Sequence, residues 1–128
     1  MNIDINSWNV VGLAAAASAL LGIWLGHVAV RKIEFAAVNL KLPIFYAAVL
    51  GLALELISLY MQARWLSTVF GILGITLLWD ALELIRQERR VRKGHAPANP
   101  NNPRHQLILA AYPSATTVDL VKQAKDER

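Results

Sequence analysis

Residues 65–93 read WLSTVFGILGITLLWDALELIRQERRVRK. Residues 65–85 of this stretch are almost continuously apolar, and residues 86–93 carry five Lys or Arg. A water-facing amphipathic helix interleaves the two classes at a period of 3.6 residues; here they are segregated end to end. An apolar block of about 20 residues is what a helix needs to cross about 30 Å of hydrocarbon. Lipid offers the backbone no hydrogen-bond partner, so such a block must be helical. The basic run behind it then reads as the flank that stays on one side of a membrane.

Two further blocks lie upstream. Residues 42–61 read LPIFYAAVLGLALELISLYM and residues 8–30 read WNVVGLAAAASALLGIWLGHVAV. The leader MNIDINS carries Asp4 and no Lys or Arg. A cleavable signal peptide would begin with basic residues and have a shorter apolar core. The fold class expected is therefore an all-α membrane protein with three transmembrane helices in residues 1–93, multi-pass in a bacterial inner membrane. Hydrophobic residues make up 55% of the chain, and most of them fall before Arg86.

Cation placement sets the expected orientation. Arg31, Lys32 and Lys41 lie between the first two blocks, and Arg86, Arg89, Arg90, Arg92 and Lys93 follow the third. The connection between the second and third blocks holds only Arg64. This bias predicts an N-terminus outside and a C-terminus in the cytoplasm, with the basic groups facing anionic lipid. The connection Gln62-Ala63-Arg64 is so short that the second and third spans must be antiparallel neighbours.

Membrane helices pack closely where side chains are small. Ala14, Ser18, Gly22 and Gly26 recur every fourth residue in the first span, Ala47 and Gly51 in the second, and Ser67, Gly71 and Gly74 mark the third. These stripes either hold the helices of one chain together or join chains into an oligomer. Glu55 continues the stripe of the second span, roughly 9 Å inside it at 1.5 Å per residue. A carboxyl at that depth is costly and should face protein or water, with Ser18 and Ser58 as candidate hydrogen-bond partners. His27, Asp80 and Glu83 form a second group, expected near the inner interface. They read chiefly as interfacial residues pairing with Arg31, Lys32 or Arg86. A divalent metal, proton transfer, or a tetrapyrrole on His27 are lesser alternatives.

After the third span the helix is expected to run to residue 93 and stop at Gly94. Residues 94–104, with Pro97, Pro100 and Pro103, read as an extended linker. Residues 105–112 read as a short strand or interfacial segment. Residues 116–127 read as a short helix with Thr116 as N-cap and Asp119 as its capping-box partner. A tail of this length is too short to fold alone. It is expected to lie on the membrane, pack on a partner or stay mobile.

Two motifs carry a family resemblance. His27 with Lys32-Ile33-Glu34-Phe35 closes the first span, and Arg90-Val91-Arg92-Lys93-Gly94 with Pro97, Asn99 and Pro100 follows the third. Over residues 10–104 the chain resembles a family of small bacterial three-span membrane proteins of unknown function. It departs from that pattern at His95, where an aromatic residue is expected, and at Asn101-Asn102, which stand in place of basic residues. The resemblance implies the topology and assigns no site.

Enzyme chemistry is not expected. The chain lacks phosphate-binding glycine patterns, a nucleophile elbow and HExxH, and it has no cysteine. No catalytic, cofactor or metal site is assigned, and the basic run lacks the pattern of a nucleic-acid binder. The expected function is that of a non-catalytic membrane protein assembling through its small-residue faces, as a homo-oligomer or as an accessory subunit of a membrane complex. The alternatives are a small ion or proton channel using Glu55, and a holin-like pore former.

Overall fold

A computed structural model describes residues 8–128. The leader, expected outside the membrane, lies outside the described residues. The described chain forms helices α1 (Val11–Ala36), α2 (Lys41–Tyr60), α3 (Arg64–Arg92), α4 (Pro103–Ala111) and α5 (Leu120–Asp126), and no strand. Local chemistry explains several of the ends. The Asn9 and Asn39 side chains accept from the backbone N–H groups of Val11 (3.2 Å) and Lys41 (3.0 Å), starting α1 and α2. Pro43 falls in the first turn of α2, where a missing N–H costs nothing. At the end of α3, the His95 N–H donates to the Arg90 carbonyl (2.9 Å) and the Gly94 N–H to the Val91 carbonyl (3.1 Å). Gly94 has φ +76°, completing a Schellman stop.

α1, α2 and α3 are long and apolar enough to cross a membrane, with mean hydropathies of 1.8, 2.0 and 1.7 over their most apolar windows. α1 runs past the expected boundary at residue 30, because RKIEFA continues the helix beyond the apolar block. The distribution of burial is the reverse of that in a water-soluble domain. Leu13, Leu20, Trp24, Leu25, Leu52, Leu56, Leu59 and Trp79 are exposed, while buried apolar side chains are few. An apolar surface this extensive calls for lipid or protein cover.

α3 occupies the centre, packed against α1 on one side and α2 on the other. Small residues make the contacts close. Ser18, Gly26, Val30 and Glu34, four residues apart or a multiple of four, are the buried positions of α1. A Cβ on Gly26 would sit 2.5 Å from an Asp80 carboxylate oxygen, and one on Gly22 would sit 3.0 Å from Thr76 Oγ1. On the other side, a Cβ on Gly51 would sit 2.9 Å from the Gly74 carbonyl and 2.8 Å from Leu78. The glycine faces are thus filled by α3 of the same chain. Near the short α2–α3 connection, Ser58 and Ser67 each donate to the other's backbone carbonyl (2.8 and 2.9 Å), locking the hairpin.

The tail differs most from expectation. Residues 94–102 are turns and irregular chain, but α4 (Pro103–Ala111) takes in the last two residues of the expected linker and nearly all of residues 105–112, which are therefore not a strand. Asn102 caps α4, accepting from the Arg104 N–H (3.0 Å), and Pro103 occupies its first turn, where a fixed φ favours helix. The second tail helix begins at Leu120, not at residue 116. Its N-cap is Asp119, whose carboxylate accepts from the Val121 and Lys122 N–H groups, while Thr116 accepts from the Val118 N–H within a turn. The tail folds on its own chain. The Ala98 N–H donates to the Thr116 carbonyl (2.8 Å), and Ser114 Oγ donates to the Arg92 carbonyl (3.0 Å). Val91, Ala98 and Ile108 form a small apolar core there, and Val30, Leu40 and Leu84 form another at the same end of the helices.

Candidate functional site

The densest polar chemistry lies where the tail meets the C-terminal end of α1. An α-helix leaves its last carbonyls without partners. Here the tail supplies them. Asn99 Nδ2 and Asn102 Nδ2 donate to the Phe35 carbonyl (both 3.1 Å), and Asn102 Nδ2 also donates to the Ala37 carbonyl (3.0 Å). Arg104 Nε donates to the same Ala37 carbonyl (3.0 Å), and its Nη2 reaches the Glu34 carbonyl.

Glu34 is the anchor. It sits on the buried row of α1, is 1% exposed, and its Oε1 accepts from Arg104 Nη2 at 3.0 Å. The other Arg104 nitrogen, Nη1, donates to Glu88 Oε2 on α3 (2.8 Å), so one guanidinium ties α1, α3 and α4 together. Glu88 is also paired with Arg92, which stacks over Tyr112 at 5.2 Å. His105 is fully buried at 0% exposure. Its Nδ1 accepts from the Asn99 N–H (2.7 Å), which assigns the ring proton to Nε2, donating to Glu34 Oε1 at 3.0 Å. Such a buried pair is weak evidence for net stability, but removing one member leaves an uncompensated charge. The network therefore fixes the tail's position on the helix ends.

The residues singled out from sequence are distributed elsewhere. Glu55 projects from α2 onto the bare backbone of α3. Its Oε1 is 2.9 Å from where a Cβ on Gly74 would be, and its Oε2 is 3.9 Å from that of Gly71. It takes no hydrogen bond from Ser18, which donates to the Ala14 carbonyl (2.6 Å), nor from Ser58, which is engaged with Ser67. Ser18 commits its hydroxyl to a carbonyl one turn back in its own helix, whereas Ser58, on the same helix as Glu55, reaches across to Ser67 on α3 instead. Asp80 lies over Gly26. Glu83 accepts from Arg86 Nη1 (2.8 Å) and Arg90 Nη2 (3.0 Å), and the Arg86 guanidinium lies 4.7 Å above the Trp79 ring. Among the described residues, no three His, Cys, Asp or Glu side chains converge as a metal site.

Glu88, Arg104 and His105 are not singled out in the sequence, and Glu34, Asn99 and Asn102 enter there only through the family resemblance, which gives them no role. Two signals pointed to them. Glu34 continues the four-residue spacing of Gly22, Gly26 and Val30, so it shares their face. Asn102-Pro103 is a helix-start pair. The cluster of prolines masked that start by suggesting extended chain throughout.

Among known proteins, no curated protein and no solved structure matches the chain. The family described as "Domain of unknown function (DUF4491)" matches residues 9–102. That span includes the three long helices, Glu34, Glu88, Asn99 and Asn102, and stops just short of Arg104. The chain belongs to the family of the domain of unknown function DUF4491.

Proposed function

We propose that this protein is a non-catalytic, multi-pass membrane protein of a bacterial inner membrane that assembles laterally, as a homo-oligomer or as an accessory subunit of a larger membrane complex. The tail-bearing end would face the cytoplasm, in keeping with the Lys and Arg bias between α1 and α2 and after α3. The observation that carries the assembly reading is Glu55. Its carboxyl rests against Gly71 and Gly74 and accepts no hydrogen bond among the described residues. Within hydrocarbon an unsatisfied polar group costs several kcal/mol. A hydroxyl or amide from a neighbouring transmembrane segment would supply the missing donor. The glycine stripes are filled within the chain, so the lateral contact would run through the α2–α3 face around Glu55.

The test is purification from native membranes in mild detergent, with mass spectrometry of whatever co-elutes. The expected result is a species larger than the monomer that Glu55→Leu dissociates. A monomer that elutes alone ends this reading. The same carboxyl also favours a second reading, a proton or cation path. In that case Glu55→Gln abolishes flux in proteoliposomes while the assembly survives.

A further inference from the structure

A cleft of about 830 Å³ separates the tail-bearing half of α1 from the returning tail. Arg31, Lys32, His95 and Lys122 line it, and none has a carboxylate partner among the described ion pairs. Arg90 also reaches the cleft, held by Glu83 and Gln87. Two carboxylates belong to its walls. Glu34 is neutralised by Arg104 and hydrogen-bonded to His105, whereas Asp119 spends its Oδ1 on the Val121 and Lys122 N–H groups. The cleft therefore carries a surplus of positive charge.

Its walls are also apolar in a directional way. Val28 lines the cleft one turn nearer the middle of α1 than Arg31 and Lys32, and Phe35, Pro97 and Val121 supply greasy surface beside the cations. Trp24, one turn before Val28 on the same face, is exposed, so an apolar track leads out of the cleft along α1. A free phosphate would use the charge and leave the track idle. A molecule with an anionic head and an apolar chain would use both.

We propose that this cleft binds the phosphodiester headgroup of an anionic phospholipid, with one acyl chain lying along Val28 and Trp24. Arg31, Lys32 and Lys122 hold the phosphate, and His95 donates from the tail side. A bound lipid would bridge α1 and the tail, coupling the tail's position to membrane composition. This inference rests on the membrane placement proposed above.

The test is native mass spectrometry of the full chain in a neutral detergent, titrated with phosphatidylglycerol, phosphatidylcholine or inorganic phosphate. Phosphatidylglycerol is expected to remain bound at concentrations about tenfold or more below those needed for phosphatidylcholine. The double variant Arg31→Ala with Lys122→Ala is expected to lose that preference. Arg89→Ala with Lys93→Ala removes the same charge from exposed positions outside the cleft and is expected to keep it. Arg31→Lys with Lys122→Arg also keeps it, separating charge from any loss of folding. Equal losses in both alanine pairs, no discrimination between the two lipids, or displacement of the lipid by millimolar phosphate would each overturn the proposal. Recovery of the chain in the aqueous fraction without detergent sinks the membrane reading instead, and is seen before any lipid is added.

Discussion

Arg104 holds more of the molecule together than any other side chain. Its nitrogens reach Glu34, Glu88 and the Ala37 carbonyl, and the planar fork of a guanidinium is what makes three directions available at once. Arg104→Ala leaves Glu34 buried and charged without its cation, at a cost of about 3–5 kcal/mol to the docked tail. The expected readout is rapid trypsin cleavage within the tail of detergent-solubilised protein. Arg104→Lys should not restore protection, because one ammonium cannot replace the fork. Gly94 is decided by backbone geometry. At φ +76° a Cβ would run into the Ser114 carbonyl, so Gly94→Ala is strained both locally and against the returning chain. It is expected to destabilise tail docking by about 1–3 kcal/mol in hydrogen exchange at residues 112–118. Gly12→Ala, with open space around its Cβ, should be neutral or slightly stabilising.

Among the elements, α3 is the one the others depend on. It offers Leu73, Thr76 and Asp80 to the glycines of α1, and Gly71, Gly74 and Leu78 to α2. Gly51→Leu should therefore separate α2 from α3, since even its first carbon would meet the Gly74 carbonyl at 2.9 Å. The chain has no cysteine, so Ser58→Cys with Ser67→Cys gives a clean cross-linking reporter of this hairpin. Cross-linking yield should fall sharply with Gly51→Leu and stay unchanged with Leu52→Ala, whose side chain is exposed. α1 depends on the tail for its C-terminal end. Asn102→Ala removes the α4 cap and two donors to α1 carbonyls, an expected loss of about 1–2 kcal/mol. Faster amide exchange in both α4 and residues 33–37 would show that one side chain serves both helices. Exchange confined to α4 would contradict that coupling.

For the molecule as a whole, the expected behaviour is partition with membranes and resistance to alkaline carbonate extraction. The reason is the exposed apolar belt around α1, α2 and α3. Protection of residue 128 from external protease in intact cells would support the proposed orientation, and cleavage there would reverse it. The existence and rough limits of the three long helices were legible in the chain because segregated apolar runs report on solvent, a property of composition over about 20 residues. The stop at Gly94 was legible because positive φ is a local demand. The glycine stripes by themselves allow two roles, within or between chains, and the structure fills them from within. In the tail only the short second helix, α5, was legible, and with the wrong start. Helix α4 is held by Asn99, Asn102 and Arg104 reaching α1 residues some 64–70 positions earlier in the chain. Local pattern determined which segments are helical enough and apolar enough to enter a membrane. Only tertiary structure decided that Glu34 would meet Arg104 and His105, that Ser18 and Ser58 would turn away from Glu55, and that the tail would cap the chain that bears it. Those outcomes depend on hydrogen-bond donors and acceptors meeting across space, and spacing along the chain carries no record of such meetings.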